Sequence, residues 1–298
     1  TGKAKATALA YASTDGWPDV LAIPFGSCAG AHVSPIHGDG AWIQSFGFLG
    51  GNATASAAFG DVDADGNADC AVGNSLGNLW RGDGTGGFAA ADAGLPGSAS
   101  SRQGFDFGDV DEDGTQEYAF QSGGDLRVCK WLGAAWGDLS SGLPRASPFD
   151  LVQLADMDFD GHLDLVAFGA GLVAVFLGDG AGNWSFAQGF SVGTSGAAVA
   201  LRAADVDHSG RPDLALVQDE SCGFTCSENT PYFFLEKNAP LALEVRLYSP
   251  RGGEAWVEGA VRAVEWQAAI PAGAGSSATL ALSTSGLSGP WQTLGADV

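Results

Sequence analysis

Asp156-Met-Asp158-Phe-Asp160-Gly161-His-Leu-Asp164 decides the fold, because the same nine-residue pattern returns three more times along the chain. The other copies are Asp61-Val-Asp63-Ala-Asp65-Gly66-Asn-Ala-Asp69, Asp109-Val-Asp111-Glu-Asp113-Gly114-Thr-Gln-Glu117 and Asp205-Val-Asp207-His-Ser209-Gly210-Arg-Pro-Asp213. Their first residues are 48, 47 and 49 positions apart. A period of that length marks a repeat architecture in which each unit is one supersecondary element. A degenerate copy, Tyr11-Ala-Ser13-Thr-Asp15-Gly16-Trp-Pro-Asp19, lies 50 residues upstream of the first, so five copies cover roughly residues 1–240.

Within each loop the spacing is a calcium argument. Oxygens at positions 1, 3 and 5 of a tight turn converge on one point, Gly at position 6 permits the sharp turn, and the acid at position 9 closes the shell. Hard oxygen donors with almost no His or Cys select Ca²⁺ over transition metals. An EF-hand shares this opening but needs a bidentate Glu at position 12, where this chain has Val72, Phe120, Ala167 and Leu216. The flanks are short apolar runs bounded by Gly, where an EF-hand needs two amphipathic helices. Three strong sites are expected, in the loops at 61, 109 and 156. A weaker one is expected at 205, where Ser209 replaces an acid, and an empty one in the first copy, which retains only Asp15 and Asp19. The whole chain should therefore hold three to four Ca²⁺ ions.

The sequence around the loops has one grammar. Apolar residues lead in, as in Leu151-Val-Gln-Leu-Ala155, and a β-prone run leads out, as in Leu165-Val-Ala-Phe168. A third strand then reaches a Gly/Asp turn, as in Val173-Ala-Val-Phe-Leu-Gly-Asp-Gly-Ala-Gly-Asn-Trp184, and the aromatic after that turn opens a fourth. Four short strands per repeat with no helix make one blade of a β-propeller. The expected fold is all-β, a propeller of about five four-stranded blades.

The phrases Phe59-Gly60-Asp61-Val-Asp63 and Phe107-Gly108-Asp109-Val-Asp111, each followed by its loop and a hydrophobic strand, resemble the FG-GAP/VCBS repeats of integrin α-chain propellers and of many secreted bacterial proteins. That resemblance implies calcium in the loop between the first and second strands of a blade, on one face of the disc. The chain departs from the pattern in its degenerate first copy and in its count, because many propellers of this family have seven blades.

Residues 241–298 change character. Leu243-Glu-Val-Arg-Leu-Tyr-Ser-Pro-Arg-Gly-Gly-Glu-Ala-Trp256, Val261-Arg-Ala-Val-Glu-Trp266 and Leu280-Ala-Leu-Ser283 are similar to the strands of Ig-like or fibronectin-III-like modules that follow secreted enzymes and surface proteins. Alternating strands, a Pro-Arg-Gly-Gly turn and two Trp residues for a sandwich core point the same way. The segment from Asn238 to Leu241 is the expected junction.

The 13 basic and 35 acidic residues give a net charge of −22. A surface of that sign repels nucleic acid and anionic membrane. No signal peptide, membrane-spanning run or sorting tail is present, and Thr1 reads as a mature or trimmed N-terminus. Cys222 and Cys226 flank Gly-Phe-Thr and could close a small disulfide ring, which would favour an oxidising compartment. Cys28, Cys70 and Cys129 lie in or just after expected strands, where they could also be buried thiols. Asn52 and Asn183 stand in glycosylation sequons, although Asn183 also suits a hairpin turn.

No catalytic constellation stands out. His162 and His208 lie inside the loops, His32 and His37 have no zinc partners at the required spacing, and there is no nucleophile elbow, P-loop or dinucleotide fingerprint. The expected protein is an extracellular or cell-surface binding protein without enzymatic activity that contacts a protein or glycan. Trp17, Trp42, Trp80, Trp131, Trp136 and Trp184 are candidates for stacking on sugars or for packing between blades. A second class is a structural subunit of a filament or surface layer. The last repeat has a third strand at Tyr232-Phe-Phe-Leu235 but no fourth, and the C-terminal module ends after about five strands near Leu280 to Ser283. Open edges of this kind accept a strand from another chain. A polysaccharide-active enzyme is a third reading, since propeller active sites assemble from residues distant in sequence.

Overall fold

A computed structural model describes residues 4–10, 19–24, 31–35, 47–49, 53–74, 78–85, 87–98, 102–193, 196–206, 211–221, 227–234, 244–250, 264–269, 277–283, 285 and 289–296. These residues form strands and turns. Four antiparallel sheets of four strands each follow one another along the chain. The first contains β1 (Ala4–Ala10), β2 (Asp19–Pro24), β3 (Ala31–Pro35) and β4 (Gly47–Leu49), and the second β5 (Ala53–Gly60), β6 (Asp69–Asn74), β7 (Leu79–Gly82) and β8 (Phe88–Ala90). The third holds β9 (Arg102–Gly108), β10 (Glu117–Ser122), β11 (Asp125–Trp131) and β12 (Trp136–Asp138). The fourth holds β13 (Leu151–Ala155), β14 (Asp164–Gly169), β15 (Leu172–Gly178) and β16 (Trp184–Ser191).

The innermost strands stand side by side, β1 against β5, β5 against β9, β9 against β13 and β13 against β17 (Ala197–Ala204). Radially arranged four-stranded meanders of this kind are a β-propeller arrangement, here with four complete blades.

The position of the second strand of a blade explains the apolar run at its centre, 118–120 in β10 and 165–168 in β14. Every residue of β10 and of β14 is buried. Successive side chains point to opposite faces of a strand, so the middle of a strand between two neighbouring sheets takes consecutive apolar residues, while the buried polar residues lie at its ends, Glu117, Gln121 and Ser122 in β10 and Asp164 in β14. Tyr118 and Phe120 of β10 pack with Ala58, Leu79, Phe105 and Phe107 on the side of the second sheet, whereas Ala119 joins Leu154, Leu165 and Ala167 on the side of the fourth. The rings of Phe107, Tyr118 and Phe120 stack with centroids 5.2 and 4.8 Å apart. Burying each such ring contributes about 1.5–3 kcal/mol. The Phe-Gly phrase also has a packing reason: a Cβ on Gly60 would lie 2.4 Å from Phe107 Cγ, so the inner strands can approach this closely only where the side chain is absent.

The repeat at 205 forms a sheet of three strands, β17, β18 (Asp213–Ser221) and β19 (Ser227–Phe234), in which the third strand expected at Tyr232 to Leu235 falls within or next to β19. β18 is paired with β19 from Leu214–Phe234 to Ser221–Ser227, and β19 has no outer partner among the described residues. In the segment 241–298, the described residues make two two-stranded sheets, β20 (Glu244–Ser249) with β21 (Glu265–Ala269) and β22 (Thr279–Leu282) with β23 (Gln292–Ala296). The strand expected near Leu280 is therefore paired on one side by its own chain. Asn52, Cys28, Cys222, Cys226, Trp17, Trp42 and the junction at 238–241 lie outside the described residues. Cys70 and Cys129 are buried free thiols.

Candidate metal centres

Each acidic loop joins the first strand of a sheet to the second, and its backbone is organised by its own carboxylates. Position 1 accepts the N–H of the glycine at position 6: Gly66 to Asp61 at 3.0 Å, Gly114 to Asp109 at 3.0 Å and Gly161 to Asp156 at 2.8 Å. Position 9 accepts the N–H of position 2: Val62 to Asp69 at 2.9 Å, Val110 to Glu117 at 2.8 Å, Met157 to Asp164 at 2.7 Å and Val206 to Asp213 at 2.9 Å. Asp69 and Asp164 use the second oxygen to accept an N–H from the end of the third strand, Gly82 and Gly178, both at 2.9 Å. Two left-handed residues make the turn in each of the loops at 61, 109 and 156. One is the glycine at position 6, and the other is a non-glycine at position 4: Ala64 at φ 55°, Glu112 at φ 60° and Phe159 at φ 65°. An L-residue in that conformation costs roughly 1–2 kcal/mol, which the convergent hydrogen bonds offset.

The folding brings positions 1, 3 and 9 together. Asp61, Asp63 and Asp69 form one group, Asp109, Asp111 and Glu117 a second, and Asp156, Asp158 and Asp164 a third, each with one ligand oxygen per residue within 4.8 Å of the others. Position 5 stands apart. Asp65, Asp113 and Asp160 accept the N–H two residues ahead, from Asn67 at 2.8 Å, Thr115 at 3.0 Å and His162 at 2.8 Å. In the loop at 205, Asp205 and Asp213 are described and Asp207 and Ser209 are not.

Three buried oxygens in these groups, Asp63 Oδ1, Asp111 Oδ1 and Glu117 Oε1, have no hydrogen-bond partner. An orphaned carboxylate oxygen in a low-dielectric setting is costly. A hard cation at the point of convergence would satisfy it, so the donor chemistry fits Ca²⁺. The electrostatics agree. Burial raises the Asp69 carboxyl to about 8, with Asp63 and Asp61 adding repulsion against the opposing hydrogen bonds from Val62 and Gly82. Burial likewise takes Glu117 to about 8 and Asp164 to about 7. Asp109 and Asp158 are also raised, again mainly by burial. Carboxyl groups crowded to this degree hold protons when no cation is present and release them to one that binds.

Basic residues reach two of the groups, and the sequence pattern did not single them out. Arg81 Nε lies 3.2 Å from Asp63, with its guanidinium 4.2 Å from the centre of the Trp131 ring. Lys130 Nζ lies 2.5 Å from Asp111, 2.6 Å from Asp113 and 3.7 Å from Glu117. Their signal in the sequence is register: each stands on the third strand, one residue beyond the pairs Cys70–Trp80 and Tyr118–Cys129, directly across from position 9. Of the tryptophan candidates, Trp184 is core, only 6% exposed and donating its Nε1–H to the Leu139 carbonyl at 2.8 Å. Trp80, Trp131 and Trp136 are half-buried. Asn183 closes the turn before β16 by donating both its N–H and its side-chain amide to Asp179, so its turn role is accounted for.

Residues 156–216 match the FG-GAP-like repeat family model, a stretch that runs from the loop at 156 through β14 to β17 and the loop at 205 into β18. No curated protein matches the chain. Among solved structures, the chain is similar to an Agrocybe aegerita lectin described as recognising non-reducing terminal N-acetylglucosamine (16% identity, 82% of this chain and 71% of the lectin covered, TM-score 0.49). It is also similar to the V. cholerae biofilm matrix protein Bap1 (16% identity, 77% of this chain covered, TM-score 0.46), of whose length it spans 40%. An FG-GAP-like repeat set in a four-bladed propeller arrangement is thus what the sequence match and the fold show together.

Proposed function

We propose that this protein is a calcium-stabilised, extracellular or cell-surface binding protein without enzymatic activity, whose propeller presents a rigid surface to a protein or glycan. The observation that carries the reading is the recurrence of one carboxylate group, at positions 1, 3 and 9, in three successive blades at the same junction of first and second strand. Three sites of one geometry on one repeat answer to a metal that stabilises the scaffold. Sites of that class bind at ~10⁻⁴–10⁻³ M, which suits calcium levels outside cells. The reading extends to a fifth blade built on β17 to β19 and an Ig-like module at 241–298. No helix among the described residues is long and apolar enough to cross a membrane. The test is calcium-dependent melting of the purified protein, followed by screening of the calcium-loaded form on glycan and protein arrays. Equal melting in calcium and in chelator would sink the metal reading, and a blank array would sink the binding one.

One observation favours a second reading, a subunit of an extracellular filament or surface layer. Among the described residues, β19 presents eight residues of backbone at the edge of a three-stranded sheet, and such an edge can take a strand from a second copy of the chain. Strand exchange of this kind is head-to-tail and propagates unless rotation closes a ring. Electron microscopy separates the two: filaments or lattices support assembly, and dispersed monomers exclude it.

A further inference from the structure

We propose that Lys130 is a built-in cation for the loop 109–117, standing where the other loops would place a metal ion, so that this blade is ordered without calcium and binds it more weakly than its neighbours. The proposal rests on the calcium reading above and changes what the third blade does within it. The four acidic loops are alike in sequence, but the residue facing position 9 across the second and third strands differs. It is Arg81 in the second blade, Lys130 in the third and Leu177 in the fourth, each one residue beyond the nearest paired position.

The three side chains grade the loops. Leu177 brings no charge to Asp156, Asp158 and Asp164. Arg81 is paired with Asp63 at 3.2 Å, and its planar guanidinium lies 4.2 Å from the centre of the Trp131 ring. Lys130 carries a compact point charge on a flexible stem. It places that charge against Asp111, Asp113 and Glu117, three of the four acids at ligand positions in its loop, and its side chain is 13% exposed. Asp113 at position 5, whose counterparts Asp65 and Asp160 hold only local turns, is drawn to the ammonium at 2.6 Å. An ammonium with three donors surrounded by carboxylates satisfies the same electrostatic demand as a divalent ion, with half the charge and a covalent tether. Calcium can enter only by displacing it. Giving up one such charge-assisted contact weakens binding about tenfold to a hundredfold.

The test is hydrogen–deuterium exchange of the full chain in chelator and in millimolar calcium, read on peptides covering 109–117 and 156–164. We expect the amides of 156–164 to gain protection, by about a hundredfold when calcium is a hundredfold above Kd. Those of 109–117 should already be protected in chelator and, with calcium bound tenfold to a hundredfold more weakly, gain only about twofold to tenfold at the same calcium concentration. In Lys130→Leu, which copies the residue at the matching place in the fourth blade, 109–117 should lose its protection in chelator and regain it with calcium. Equal calcium responses of the two loops in the wild-type protein would overturn the proposal while leaving the calcium reading intact. A silent 156–164 loop would overturn the calcium reading, and the distinction drawn here with it. Should Lys130→Leu fail to fold, the wild-type comparison decides alone.

Discussion

Asp164→Asn separates a structural carboxylate from a metal-binding one. Asp164 is fully buried, and its two oxygens accept the N–H groups of Met157 at 2.7 Å and Gly178 at 2.9 Å. Asparagine keeps one acceptor and turns an NH₂ group toward the other amide, leaving a buried donor facing a donor. That costs about 1–3 kcal/mol, with a charged acceptor at the upper end and relief of the buried charge pulling toward the lower. This loss is the same with or without metal. The second loss exists only when calcium is present, because an ion that binds the native loop adds RT ln(1 + [L]/Kd), about 2.7 kcal/mol at a hundredfold excess, and the variant forfeits it. Urea denaturation at pH 8, above the value of about 7 for this carboxyl, gives both numbers from four curves: wild type and variant, in chelator and in calcium. The expected result is a variant destabilised in chelator by about 1–3 kcal/mol and in calcium by about 4–6 kcal/mol. If calcium stabilises variant and wild type equally, Asp164 is not a ligand and the role of position 9 is wholly structural.

Three further outcomes follow from the same geometry. Asp158→Ala should reduce the calcium-dependent rise in melting temperature more than Asp160→Ala, because Asp158 shares the ligand group with Asp156 and Asp164 while Asp160 accepts the His162 N–H; equal effects would return position 5 to the ligand set. In chelator, stability should fall as pH rises from 5 to 8.5. The folded chain holds protons on Asp69, Glu117 and Asp164 up to about 8, 8 and 7, whereas the unfolded chain releases them near ~4, so the stabilisation present at low pH is lost as pH passes the folded values. Calcium should flatten or reverse that slope, and denaturation midpoints at the two pH values check the sign. Arg102→Met should cost about 3–5 kcal/mol, because the guanidinium, in a residue 5% exposed, pairs with Asp92 at 2.9 Å and bonds the carbonyls of Leu95, Pro96 and Gly97; a loss below 1 kcal/mol in denaturation would show that loop 92–97 relaxes around the change.

What was legible in the sequence was whatever repeats. The loop starts at 61, 109 and 156 set the period, the uninterrupted apolar runs at 118–120 and 165–168 set strands buried on both faces, and Gly66, Gly114 and Gly161 set the turn. Positions 1, 3 and 9 converge as the spacing implies. Position 5 does not, because a short Asp side chain two residues before a free N–H satisfies that donor locally, and only a cation in the centre would draw it away. The left-handed residue at position 4 escaped notice because Ala64, Glu112 and Phe159 share no chemistry; the backbone there is set by its neighbours' hydrogen bonds and not by its side chain. Lys130 and Arg81 were hidden for a different reason. A residue that faces a loop across a strand pair is found by register, and register is fixed only once the third strand is placed.

The variable positions of the loops then acquire a meaning that ligand counting overlooks. Asp61 donates its N–H to Gln116 Oε1 at 2.7 Å and accepts the Gln116 N–H at 3.4 Å, so the loop at 61 is bonded to position 8 of the loop at 109. Glu112, at position 4 of the loop at 109, meets His162 Nδ1 of the loop at 156 at 2.6 Å. Arg211, at position 7 of the loop at 205, donates to the Asp158 carbonyl at 2.9 Å and stands 5.8 Å from the centre of the Phe159 ring. Each loop is therefore tied to the next by residues that are not ligands, and an ion that orders one loop also fixes the partner groups its neighbour needs. Two sites joined in this way share a coupling free energy, and the coupling is reciprocal. A third blade already ordered by Lys130 would then hold the facing edges of the loops at 61 and 156 in place before calcium arrives. The residues that differ most between repeats are those that tie neighbouring loops together, and the residues that recur are those whose carboxylates converge.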